Sequence, residues 1–216
     1  MKELLPTLSR WQADGRRAVI ATVVERRGSA PRDPGASLAL NDLGEIAGSV
    51  TGGCVEPSVI SEAQEILGGG APRVREYGIS DDTAFEVGLA CGGTVAILVA
   101  PLDLSLVPAL VDAADADRAV ALTIVASGDR IGTQELHEQP AGAVGRLLGA
   151  GESALTDVER EAVFVHAITP RPTMYVFGAI DHAAALARVG KGIKTTMLLH
   201  WATNSLGFFA AWLLLH

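Results

Sequence analysis

Glycines at 48, 52 and 53 crowd the run Gly48-Ser49-Val50-Thr51-Gly52-Gly53-Cys54-Val55-Glu56, and the chain that follows has a helical rhythm. Val55 to Leu67 (VEPSVISEAQEIL) sets apolar residues at 55, 59, 60, 63, 66 and 67, the spacing of one buried helix face. Paired glycines weaken any strand or helix interior, so the join must be a tight turn delivering chain into a helix. Glu56 and Pro57 suit a first helical turn, where proline lacks only a donor that would be unpaired anyway. Cys54 then sits at or just before the helix N-terminus. Unpaired N–H groups and the positive end of the helix dipole favour anions there, including a thiolate and a phosphate.

The motif has an echo. Gly88-Leu89-Ala90-Cys91-Gly92-Gly93-Thr94 places the second of the chain's two cysteines beside glycines, 37 positions after the first. Glycine neighbours let backbone approach a ligand and leave a thiol uncovered, whereas a structural cysteine is normally enclosed by packing residues. Read for chemistry, Cys54 and Cys91 are candidate nucleophiles or soft-metal ligands. Read for structure, Gly52-Gly53 makes a turn and Cys54 fills space. With two cysteines a disulfide scaffold is excluded, and a reducing, cytoplasmic compartment is expected. The N-terminal MKELLPTLSRWQADGRR lacks the uninterrupted apolar run of a signal peptide.

The chain has 216 residues and a net charge of -8, with no basic run, so a nucleic-acid surface is not expected. Strand and helix patterns alternate. Leu4 to Asp14 reads as a helix, Ala18 to Glu25 as a strand, and Ser37 to Leu40 with Glu45 to Val50 as a hairpin. Arg73 to Tyr77 and Thr94 to Ala100 read as strands, the latter closed by Pro101. Asp103 to Ala116 reads as a helix, and Ala119 to Ala126 with Ile131 to Glu138 as two more strands. Asp81-Asp82 suits a cap on Thr83 to Gly88 better than an acid/base pair. Between the first strand and the hairpin, Arg26, Arg27 and Arg32 lie in a Gly- and Pro-rich loop that could present guanidinium groups to a phosphate or simply be solvated.

The expected fold class is α/β: a mixed-sheet N-terminal domain with helices over 1–140, a linker over 141–170, and the start of a Rossmann-like unit over 171–190. In that unit Thr173 to Phe177 is the strand, Gly178-Ala179-Ile180-Asp181-His182 the turn and Ala183 to Val189 the helix. As a dinucleotide site it reads poorly. Ile180 stands where the second fingerprint glycine belongs, and no Asp or Glu follows Asp181; NAD(P) is therefore not the expected cofactor. Residues 191–216 form an apolar tail, free of Lys, Arg, Asp and Glu from 195 onward. Its unbroken apolar run, Leu206 to Leu215, is too short to span a membrane. A reading-frame change near Gly190, a packed terminal helix or a dimer contact are the readings set against a membrane anchor.

The strings GSAPRDPGASLAL from Gly28, GSVTGGCVE, and YGISDDTAFEVGLACGGTVAILVAPL resemble the xanthine dehydrogenase accessory factor family, XdhC/CoxI. The resemblance covers residues 10 to 101 and continues loosely to FGAIDHAAALARV. It implies a factor that binds molybdenum cofactor (molybdopterin) and helps sulfurate and insert it into a client molybdenum hydroxylase such as xanthine or carbon monoxide dehydrogenase. A sulfur-donating desulfurase and a homodimer are the further partners it suggests. On this reading the cofactor-binding candidates are Gly52, Gly53, Cys54, Glu56, Cys91, Gly92, Gly93 and Arg32, with Cys54 and Cys91 as metal candidates. The amides of Gly52, Gly53 and Cys54 and the arginine loop are the expected phosphate partners. The alternatives are an NAD(P)-linked oxidoreductase or a cysteine-dependent transferase, which needs a histidine beside a cysteine. The five histidines, at 137, 166, 182, 200 and 216, all follow the cysteine region. A redox sensor pairing Cys54 with Cys91 is a third class.

Overall fold

The computed structural model describes residues 1–78 and 93–170, together with the backbone of 173–177, 194–200 and 210–211. These fall into two units, Met1–Thr169 and Pro170–His216.

The first unit is built on two sheets, each antiparallel throughout. β1 (Ala18–Arg27) is the centre of a five-stranded sheet with β2 (Ser37–Asn41), β3 (Ile46–Gly48), β4 (Arg73–Tyr77) and β5 (Thr94–Leu102), in the order β3-β2-β1-β5-β4. β6 (Val120–Val125), β7 (Gln134–His137), β8 (Ala154–Val158) and β9 (Glu161–Ile168) form the second sheet, in the order β7-β6-β9-β8. Residues 18–24 of β1 are all buried, which a strand achieves only when both sheet faces are covered. Alternate residues divide between the two covers. Val19, Ala21 and Val23 face α2 (Glu56–Leu67) through Val55, Val59, Ala63 and Ile66. On the opposite face Val24, Ala96 and Leu98 share a core with Leu122, Ile124, Phe164 and Ile168 of the second sheet. α1 (Leu5–Ala13) and α3 (Val107–Asp115) close the flank of that core, and α4 (Gly142–Ala150) covers the outer face of the second sheet through Val144 and Leu148.

The elements expected over the first 116 residues lie where the sequence patterns put them, with local differences. β5 does not stop at Pro101: it runs on to Leu102, with Pro101 in register opposite Val19. A proline fits there because it removes only a donor, and its carbonyl accepts a hydrogen bond from Gln134 Nε2 at 2.6 Å. The helix expected from Asp103 begins as a 3-10 turn at Leu104–Leu106, where Asp103 Oδ1 accepts from the Ser105 N–H. The short segment Thr83 to Gly88 and the Asp81-Asp82 cap lie outside the described residues.

The larger correction concerns 141–170. In place of a linker it holds α4, β8 and β9, which supply buried Val144, Leu148, Val163, Phe164, Val165 and Ile168, so the first unit extends to Thr169. The hairpin's polar residues, among them Asp157, Glu159, Arg160 and Glu161, break up an apolar pattern that is continuous only over Ala162 to Val165.

In the second unit β10 (Thr173–Phe177) pairs in parallel with β11 (Lys194–His200), and β12 (Ala210–Ala211) pairs antiparallel with β11. Parallel neighbours require a crossover connection, the arrangement that opens a Rossmann-like unit. The first part of the apolar tail is thus a strand. The helix expected over 183–189 lies outside the described residues.

Between the sheets sits His166, buried on the inner face of β9. Its Nδ1 is 3.4 Å from Ser153 Oγ, and its Nε2 has no hydrogen-bond partner among the described residues. Burial, reinforced by the nearby Met1 amino group and only partly offset by Gly35, pushes the imidazole down to about 3. An unfolded chain therefore takes up this proton first, and the stability conferred by neutral His166 is lost as pH falls from about 6.5 toward 3. Denaturant unfolding at pH 6.5 and pH 5 is expected to show a loss approaching about 1.4 kcal/mol per pH unit, which His166→Leu should flatten. Equal slopes in both proteins would refute this.

Candidate functional site

Of the predicted site residues, Arg32, Gly52, Gly53, Cys54, Glu56 and Gly93 lie at one end of the five-stranded sheet, as the registers dictate. β1 runs toward Arg27, opposite Thr94 at the start of β5, and Tyr77 at the end of β4 pairs with Val95. Arg17, just before β1 at the far end, donates from Nη1 to the carbonyl of Leu67 at the C-terminus of α2. The N-terminus of α2 therefore lies at the Arg27 end. Glu62 of α2 accepts from Tyr77 Oη at 2.9 Å and pairs with Arg73 at 3.0 Å and Arg75 at 3.2 Å. These contacts fasten the helix to the edge strand β4. Ala30, Val50, Val55, Tyr77 and Val95 then pack in a single cluster beneath the loops.

Within the loop from Gly48 to Val55 the inner and outer sides differ. Val50, Thr51 and Val55 are buried, while Gly52, Gly53 and Cys54 are exposed. Gly52 and Gly53 adopt φ of +91° and +128°, and a Cβ on either would meet no atom within 4 Å. The space beside both glycines is open, and the adjacent Cys54 is a free, exposed cysteine.

The loop's donors point the other way. The Glu56 carboxylate, at the first position of α2, accepts from Ser49 Oγ at 2.6 Å and from the N–H groups of Val50, Thr51 and Gly52 at 3.2, 2.8 and 2.8 Å through Oε1. Through Oε2 it accepts from Thr51 Oγ1 at 2.6 Å and the Gly53 N–H at 2.8 Å. Burial alone would push this carboxyl up; the donors from Ser49, Thr51 and Gly52 outweigh it and hold the group well below the usual carboxylate range. The Gly52 and Gly53 amides, expected to face a phosphate, are instead committed to the chain's own anion. Sequence reasoning missed Ser49 and Thr51. Two hydroxyls ahead of paired glycines and a first-turn glutamate were the available signal.

Two of the three arginines expected in the loop instead end β1, which runs on past Glu25 and pairs them with Val95 and Thr94; Arg26 forms an ion pair with Asp33 and Arg27 with Glu25, each at 3.1 Å. Arg32 is exposed and has no charged partner among the described residues. Gly93 is buried, and a Cβ there would come within 2.5 Å of the Ala30 nitrogen, so the segment that returns from the second cysteine motif lies directly against the arginine loop. Cys91 and Gly92 are outside the described residues. Among the described residues no group of three or more His, Cys, Asp or Glu side chains could hold a metal ion. No described helix is long and apolar enough to cross a membrane.

Residues 11–78 match the model of the XdhC and CoxI family. Among curated proteins of Escherichia coli, the chain is 40% identical over 83 residues to the molybdenum cofactor insertion chaperone PaoD, an overlap of 38% of this chain and 26% of PaoD. It is 27% identical over 163 residues to the uncharacterized protein YqeB, covering 76% of this chain and 29% of that one. The chain thus spans less than a third of the length of either relative. A crystal structure of a xanthine dehydrogenase from Bacillus halodurans has a similar fold, with a TM-score of 0.60 at 23% identity over 89% of this chain and 61% of the other. The matched segment contains β1, the loop that follows it, the Cys54 loop and α2, so the similarity to the XdhC and CoxI family lies in residues 11–78.

Proposed function

We propose that this chain carries molybdenum cofactor as cargo for insertion into a client molybdenum hydroxylase, and that it meets the cargo at the loop end of the five-stranded sheet. The observation behind this reading is the exposed Cys54 thiol on an open loop face, in a segment that matches the family and lies within a domain akin to a named insertion chaperone. The cargo is an anionic pterin with a soft metal centre. Cys54 supplies a soft sulfur donor, and Arg32 a guanidinium for a phosphate oxygen. Cys91 is the second thiol in this reading, with Gly92 allowing close backbone approach and Gly93, packed against Ala30, holding the segment to the neighbouring loop. A sulfur-donating desulfurase and a second copy of the chain are its further partners.

The fit is selective. Gly52 and Gly53 contribute an uncovered surface but no free phosphate cradle, because Glu56 takes their N–H groups. The test is cofactor released anaerobically from a molybdoenzyme and mixed with the purified chain. Cys54→Ala is expected to weaken binding by about tenfold or more, the equivalent of about 1.4 kcal/mol, and cofactor should protect Cys54 from alkylation. Unchanged binding by Cys54→Ala would remove Cys54 from the site.

A further inference from the structure

We propose that Glu56 is a specificity-determining internal anion: its carboxylate fills the amide hollow ahead of α2, so the loop presents a thiol while refusing phosphate and other small oxyanions. The proposal rests on reading Cys54 as a site residue, and is independent of which cargo it meets.

Three observations carry it. The carboxylate receives six hydrogen bonds from residues 49 to 53, which saturates the roughly four lone-pair positions of two carboxylate oxygens. The same N–H groups beside a helix N-terminus are what an incoming phosphate would need. A second anion brought into that hollow would meet the Glu56 charge at contact distance, where like charges repel strongly. Finally, the donors of residues 49 to 53 are turned to Glu56, while a Cβ on Gly52 or Gly53 would meet open space and the adjacent Cys54 is exposed. A ligand arriving from solvent finds sulfur beside a loop whose N–H groups at Val50, Thr51, Gly52 and Gly53 are already taken. Its anionic part must be met elsewhere, and Arg32 on the neighbouring loop has no charged partner among the described residues.

The experiment follows alkylation of Cys54 by iodoacetamide, a neutral reagent, with the modified peptide quantified by mass spectrometry. It is run in inorganic phosphate and in chloride at matched ionic strength. Wild-type protein should react at the same rate in both. Glu56→Gln and Glu56→Ala empty the hollow of its charge, and phosphate should then slow Cys54 alkylation by about threefold or more, the scale of an anion at a helix N-terminus. A residue that merely braced the loop would change stability without creating phosphate sensitivity. Phosphate slowing of the wild-type reaction would overturn the proposal, as would folded variants that remain indifferent to phosphate. Should Glu56→Ala fail to fold, the wild-type and Glu56→Gln arms still decide. No cofactor is used, so failure of this proposal and failure of the cargo reading are separately visible.

Discussion

Glu56→Ala is expected to lower the unfolding free energy by about 2–3 kcal/mol, after discounting for the partial exposure of the carboxylate. The loss is large because one truncation strands several donors together. The N–H groups of Thr51 and Gly53 lose their acceptor, and so do the hydroxyls of Ser49 and Thr51, while the Gly52 N–H keeps only Ser49 Oγ at 2.9 Å. Thr51 is buried, so water replaces the carboxylate poorly at its end of the loop. The pH dependence has a definite sign. The folded carboxyl sits well below its ordinary value near 4.5, so its stabilisation is fully present above that pH and is lost as pH falls toward the folded value. Urea unfolding of wild-type and Glu56→Ala protein should diverge at pH 7 and converge in strong acid. Equal stabilities at pH 7 would show that the six hydrogen bonds do not hold the loop.

Gly48→Ala is expected to be costlier, at about 3–5 kcal/mol. Gly48 ends β3 with φ of +81°, and a Cβ there would lie 2.2 Å from the Ser37 carbonyl oxygen and 2.8 Å from Leu4 Cδ2. The oxygen belongs to backbone that cannot yield, because it accepts the Ser49 N–H at 3.0 Å in the turn that leads to the Cys54 loop. Left-handed strain and overlap therefore add. Gly52→Ala provides the contrast: its φ is also positive, but a Cβ meets nothing within 4 Å, so only backbone strain of about 1–2 kcal/mol applies. Similar losses for the two variants would contradict this account of Gly48.

The strong periodic signals are local ones, and they carried from sequence to structure. Val55, Val59, Ala63 and Ile66 mark the buried face of α2, and the β-branched run from Ala18 marks the central strand. The break at 141–170 was not legible because α4 and the β8–β9 hairpin are short and polar-edged, and their apolar face acquires meaning only once a second sheet exists to bury it. At the site, glycines 48, 52 and 53 announced a turn and Cys54 an exposed thiol. The direction of the loop's N–H groups is a three-dimensional property. Nothing in the spacing of Ser49, Thr51 and Glu56 distinguishes an empty anion cradle from one filled by the chain's own carboxylate. The convergence of the arginine loop, the Cys54 loop and the start of β5 likewise follows from strand order and register, which no local pattern encodes.

Uptake of molybdenum cofactor is the role proposed for this chain. Its most direct test is anaerobic gel filtration of the purified protein after mixing with cofactor freshly released from a molybdoenzyme, with molybdenum and pterin measured in the protein peak. The account predicts that both co-elute with wild-type protein and that both are depleted in the peak of the folded Cys54→Ala variant. Folded wild-type protein that emerges free of molybdenum and pterin would contradict it.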